Sequence, residues 1–218
     1  MILIESKEFK NIFFESKDFF EKIYQSCTFK NCTFSKINLE KTYFIWCNFK
    51  NSKFENCKFK DIYFLGVSLP DFYLNSCLME NVSFKECNLK SLNFNNVIAP
   101  KIKFESSNIS RANFEESILE NSSIINSKGK KVHFFKCNLI GLKLEYSSLM
   151  KSKIIISSMD KMSVEGCDLR GFIFSQIHAK EIRISETKVK GAKFKNVKFE
   201  NSEISFEDVD ISKLEIVS

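Results

Sequence analysis

One column of residues constrains this chain more than anything else in it. Taking every fifth residue from Ile4 gives Phe9, Phe14, Phe19, Tyr24, Phe29, Phe34, Leu39, Phe44 and Phe49, and the series runs on to Val209 and Leu214. Of its 43 positions 42 are apolar, although hydrophobic residues make up only 44% of the chain. The column also takes 18 of the 24 phenylalanines, and its one exception is Gly129. A second column, two residues earlier, is small or aliphatic: Cys27, Cys32, Ile37, Thr42, Cys47, Ser52, Cys57, Ile62 and Val67. The other three positions of each unit are mostly Lys, Glu, Asn and Ser. Two inward positions recurring every five residues fit neither a 3.6-residue helix nor an alternating strand. The chain has to turn a corner every five residues. Four corners close a square coil of 20 residues, and stacked coils pair their backbones at the ~4.8 Å spacing of strands. The large residue fills the centre of each side, and the small one lies near the wall.

The stretch Cys27-Thr28-Phe29-Lys30-Asn31-Cys32-Thr33-Phe34 resembles two pentapeptide repeats. So do Cys47-Asn48-Phe49-Lys50-Asn51 and Arg111-Ala112-Asn113-Phe114-Glu115. The resemblance to the pentapeptide-repeat family covers essentially the whole chain. It implies an all-β fold, a right-handed quadrilateral β-helix, here a solenoid of about eleven coils and a rod roughly 50 Å long. The phase holds from Ile4 to Leu214, so a single domain over residues 1–218 without an inserted loop is expected. Two places weaken the pattern. Lys7, Lys17 and Lys22 stand in the small-residue column, so residues 1–25 read as irregular first coils or a helical cap. Gly129, within Ser127-Lys128-Gly129-Lys130-Lys131, should leave the centre unfilled and mark a bulge.

Little catalytic chemistry is on offer. All eight cysteines (Cys27, Cys32, Cys47, Cys57, Cys77, Cys87, Cys137 and Cys167) lie in the wall column. There they are expected as buried, unbridged, metal-free thiols, as suits a cytoplasmic protein. His133 and His178 each precede a central residue and should face outward, with no triad partner placed by the repeat. Glycine is too scarce and scattered for a phosphate-binding loop. The chain reads as a non-enzyme that needs no cofactor.

Function is then expected on the outer faces. The face centred on Phe9, Phe29, Phe49, Leu69, Leu89, Ile109, Gly129, Leu149, Leu169, Val189 and Val209 carries a formal charge of +7, while the other three carry −2, +2 and −1. Its ladder is Lys10, Lys30, Lys50, Lys90, Lys130, Arg170 and Lys190, reinforced by Arg111, Lys128, Lys131, Lys151 and Lys188. This lysine face reads either as a solubilising surface or as a docking strip for an acidic protein, nucleic acid or anionic lipid. The face centred on Tyr24, Phe44 and Phe64 gathers outward Ile23, Tyr43, Ile45, Trp46, Tyr63 and Leu65. That patch reads either as a protein-binding hot spot or as cross-coil stacking. The C-terminal coil, residues 205–218, carries Phe206, Ile211 and Ile216 as outward apolar groups. Beside them, Lys213 can meet the acidic group Glu207, Asp208 and Asp210 of a second copy, giving an isologous homodimer contact.

Three functions follow. The first is a rigid protein-binding module. The second rests on resemblance: the segment from Glu21 to Phe49, with Cys27, Phe29, Cys32, Phe34 and Cys47, is similar to the Qnr-type quinolone-resistance proteins. That resemblance implies binding of DNA gyrase or topoisomerase IV by imitating duplex DNA. The third is binding of nucleic acid or an anionic membrane through the lysine face.

Overall fold

The computed structural model describes residues 1–15, 18–207 and 215–217. Strands pair in parallel with the strand 20 residues on: Ile4 stands opposite Tyr24, Tyr24 opposite Phe44, Phe44 opposite Phe64 and Phe64 opposite Phe84. Two long sheets result on opposite sides of the rod, and the second stacks eleven strands from Phe13–Glu15 to Glu215–Val217. Single bridges, such as Asn48 to Ser68 and Ile98 to Ile118, connect the coils on the other two sides. The fold is the β-solenoid that the five-residue period requires.

Each corner is a residue in the left-handed region. Residues 11, 31, 46, 51 and their equivalents have φ near +50°, and only Gly66, Gly141, Gly166, Gly171 and Gly191 among these corners are glycine. Such a conformation costs roughly 1–2 kcal/mol for an ordinary residue and less for Asn or Asp. Cross-coil hydrogen bonds offset it. The corner amide donates to the carbonyl 19 residues on, as Asn11 to Lys30 and Asn31 to Lys50, both at 2.9 Å. Asn31 and Asn51 add side-chain bonds to the asparagine one coil earlier, at 3.0 and 3.2 Å. Low glycine content is thus compatible with a fold made of corners.

The centre is an aromatic stack. Phe44, Phe64 and Phe84 lie nearly parallel at 5.1 and 4.6 Å, while Phe49 meets Phe44 edge-on at 5.2 Å. The wall column does a different job. Ser52 Oγ accepts the Cys32 amide at 2.9 Å and donates to the Phe29 carbonyl at 3.1 Å. Ser107, Ser127 and Ser147 repeat the arrangement. Wall residues are therefore small because they sit within reach of the backbone of the neighbouring coil. All eight cysteines are buried and free in this column. Burial pushes the Cys47 and Cys87 thiols up to about 12, and those of Cys137 and Cys167 to about 11.

Three expectations are corrected. Residues 1–25, as far as they are described, form neither a cap nor irregular coils, since Ile4, Phe9, Phe14 and Phe19 stand in register opposite Tyr24, Phe29, Phe34 and Leu39. Lys7 is exposed and Lys22 half-buried, its ammonium 5.9 Å from the Phe19 ring. Gly129 marks no bulge: a Cβ on it would lie 2.4 Å from Leu149 Cδ2 and 3.2 Å from Val132 Cγ2, so neighbours already fill its place. The phase does slip near the C-terminus, between Ile184 and Thr187 in the pairing with Glu203–Glu207. Phe206 then stands opposite the buried wall residue Thr187, and its ring lies 5.9 Å from Phe194. It packs against the core instead of facing outward. Ile216 stands opposite Phe199, 17 residues earlier instead of 20. Ile211 and Lys213 lie outside the described residues.

Candidate functional site

The outward aromatic patch is built by register. Ile23, Tyr43 and Tyr63 stack in one row, and Gln25, Ile45 and Leu65 in the row beside it. The Tyr43 and Tyr63 rings meet edge-on at 6.1 Å. All of these side chains are half-buried by one another. Leu3, 55% exposed, extends the first row by one coil, and Ser83 and Lys85 end the two rows.

Trp46 differs from its neighbours. It is 61% exposed and occupies a left-handed corner at φ 51°. Every corner shares that conformation, so what sets Trp46 apart is the size and exposure of its side chain. Its seat explains the position: the indole lies across Gly66, the same corner one coil on, where a Cβ would come 2.3 Å from Trp46 Cδ1. Gly66 leaves room for the ring, and the ring stands at the edge of the apolar rows. The structure therefore brings Ile23, Tyr43, Ile45, Trp46, Tyr63 and Leu65 together. It adds a second corner that was missed, Tyr146, 55% exposed at φ 49° and seated on Gly166 in the same way. Tyr146 also donates its hydroxyl hydrogen bond to Glu165. The signal was present in the sequence as an aromatic corner residue followed by glycine 20 residues later.

The lysine face also assembles as read. Lys10 stands directly opposite Lys30. Lys10, Lys50, Lys90, Lys130, Arg170 and Lys190 are exposed, and Lys30 is half-buried. Arg170 is not a free cation, because Asp168 accepts its guanidinium at 2.7 and 2.9 Å and is held below the usual carboxylate range by it.

Other polar clusters are ion networks. Glu200 accepts His178 Nε2 at 2.8 Å, Lys198 at 2.9 Å and Lys180 at 3.1 Å, and these partners hold its carboxyl down to about 2. A carboxylate thus does meet His178, one coil on, where the repeat alone suggested none. Burial and nearby Lys153 lower His133. A shallow groove of about 430 Å³ is lined by Leu39, Phe59, Phe20 and Leu78 with charged side chains around them. Among the described residues, no three His, Cys, Asp or Glu side chains gather as a metal site requires.

Comparison with known proteins bears on the fold. The family model described as pentapeptide repeat region matches residues 47–124, and pentapeptide repeats (8 copies) matches residues 25–61. No curated protein matches the sequence. Among solved structures, HetL, a pentapeptide repeat protein involved in heterocyst differentiation regulation from the cyanobacterium Nostoc, is 14% identical with a TM-score of 0.42, covering 90% of this chain and 86% of that one. A trypsin-treated form of QnrB1, a plasmid-mediated fluoroquinolone resistance protein, is 20% identical with a TM-score of 0.44, covering 91% and 92%.

Proposed function

Because the chain is a pentapeptide-repeat protein, a rod whose inward residues are committed to its own core, we propose that it acts without catalysis, as a rigid module that binds another protein through its outer surface. The docking surface is the corner formed by Trp46 with Ile23, Tyr43, Ile45, Tyr63 and Leu65. The observation that carries this reading is Trp46 itself: a large aromatic, mostly in water, standing on a glycine seat at the edge of the apolar rows. Aromatics surrounded by half-buried apolar groups are the usual anchors of protein interfaces. The fitting partner offers an apolar pocket for the indole. Replacing Trp46 by Ala should abolish capture of that partner with little change in melting temperature. A matching loss of stability would instead assign the cluster to cross-coil packing.

A second reading, binding of DNA gyrase or topoisomerase IV in the Qnr manner, draws on the resemblance between Glu21 and Phe49, which overlaps the family match over residues 25–61. Imitation of duplex DNA needs an acidic strip, whereas the net charge here is +6. Protection of gyrase supercoiling from a quinolone by the purified protein would support that reading, and no effect on the assay would remove it. The homodimer through the C-terminal coil is also part of the proposal, though Phe206 now supports the core of that coil instead of its outer contact. A monomeric mass by light scattering at micromolar concentration would rule it out.

A further inference from the structure

Elsewhere on the rod some charges are paired across coils. Lys85 meets Glu105 at 2.8 Å, Lys136 meets Glu116 at 3.4 Å and Lys60 meets Glu40 at 3.6 Å. The lysine face carries cations without any carboxylate over four consecutive coils. Residues 87–91, 107–111, 127–131 and 147–151 contain Lys90, Arg111, Lys128, Lys130, Lys131 and Lys151 and no carboxylate. All six are exposed, and none forms an ion pair with a described residue. Arg111, Lys131 and Lys151 occupy one corner on successive coils, at ~4.8 Å per step.

The arrangement has a place for an oxyanion. Lys90, Arg111, Lys130 and Lys131 line one shallow concavity of about 300 Å³ with Asn108 and Ser110. Asn108 Oδ1 accepts the Ser110 amide at 3.1 Å. The opposite face uses the same turn: Asn138 Oδ1 accepts the Ile140 amide at 3.1 Å, and the Asn138 amide group donates to the carboxylate of Glu120, 18 residues earlier. Eighteen residues before Asn108 stands Lys90. An internal carboxylate completes the turn on one face, and on the lysine face the same spot is lined by four cationic side chains and no carboxylate.

We propose that this block, residues 87–151 of the lysine face, binds the phosphate backbone of double-stranded nucleic acid without regard to sequence. Lys and Arg interleaved with Ser and Asn are the side chains that contact phosphate oxygens, and such contacts position a duplex without reading it. Aromatic side chains that would stack single-stranded bases are missing from the block. An anionic bilayer fits less well, because no large exposed apolar residue among those described lies on this face to enter the acyl boundary. The surface is separate from the Trp46 corner, so either assignment can fail alone.

The test is fluorescence anisotropy of the whole protein with two 20-base-pair DNA duplexes of unrelated sequence, between 50 and 200 mM NaCl. Both duplexes should bind alike. With about six phosphates neutralised, the slope of log affinity against log salt should be about −5, a loss of roughly a thousandfold over that range. The double variant Lys130→Glu with Lys131→Glu should bind both duplexes more weakly and flatten the slope by about two. The variant Lys101→Glu with Lys103→Glu makes the same charge change off this face and should bind within about twofold of the parent. Lys90→Gln, a milder change, should flatten the slope by about one. Absence of saturable binding at 50 mM, equal losses in the two double variants, or binding to phosphatidylserine vesicles in place of DNA would overturn the proposal.

Discussion

At the scale of single residues, three positions in each five-residue unit are under physical constraint. The central one fills volume, the wall one meets the backbone of the preceding coil, and the corner one bears a positive φ. Ser127 shows the second constraint most fully. Its Oγ accepts the Ser107 amide at 3.1 Å and donates to the Ile125 carbonyl at 2.8 Å, while its own amide donates to Ser147 Oγ at 3.0 Å. Ser127→Ala should cost about 1–3 kcal/mol in a denaturant melt, because a buried amide loses its acceptor. The wall thiols make a pH prediction. Burial raises Cys47 and Cys87 to about 12 from an ordinary value near 9, so the folded state holds protons that the unfolded state releases. Stability should be fully present below about pH 9 and fall as the pH rises toward 12. Replacing both thiols with Ser should flatten that decline, and an unchanged alkaline limb would contradict it. The sequence made the wall column visible as small residues. Its hydrogen-bonding purpose was hidden, because a five-residue period does not say which backbone amides lack carbonyl partners.

At the scale of the coil, stacking decides what a substitution does. Phe84 lies between Phe64 at 4.6 Å and Phe104 at 5.5 Å, so Phe84→Ala should cost about 3–5 kcal/mol, read as a lower denaturation midpoint. Gly129 tests packing from the other side. Gly129→Leu should destabilise by about 1–3 kcal/mol, since Leu149 already occupies the space, and pairing it with Leu149→Ala should recover part of that loss. Additive losses would show that the two side chains do not share one volume. Periodicity alone suggested a void at Gly129, because it counts what a position lacks and not what its neighbours lend. The slip after Ile184 was equally hidden, because the apolar phase continues in the sequence while Thr187 pairs with Phe206, one residue out of that phase. The Glu200 cluster stands near this end. Its carboxyl is held down to about 2 by Lys198, His178 and Lys180, so the contribution of the cluster is present above the ordinary carboxylate pKa and lost only as pH falls toward 2. Amide exchange in Lys193–Glu200 should therefore stay slow at pH 4 and accelerate below pH 3 in the parent, but be fast already at pH 4 in Glu200→Gln.

At the scale of the whole molecule, the rod separates structure from recognition. Its inward columns were legible in the sequence because one period governs 42 of 43 positions. The outward rows were legible as well, because a 20-residue coil assigns each residue to a face, and the register brings Ile23, Tyr43 and Tyr63 into line as expected. Which of those residues stands clear of its neighbours was not legible. Trp46 emerges from the patch only because Gly66 leaves room beneath it, a relation between corners on different coils. The central claim is that this side chain is kept for a partner and not for the rod. The most direct measurement compares the parent with Trp46→Ala and with Tyr146→Ala in two readings, melting temperature and the set of proteins retained from the source cells. The account predicts that all three melt within about 3 °C of one another, a shift of less than about 1 kcal/mol for a chain of this length. It also predicts one protein retained by the parent and by Tyr146→Ala but lost with Trp46→Ala. Identical retained sets, or a fall in melting temperature confined to Trp46→Ala, would contradict it.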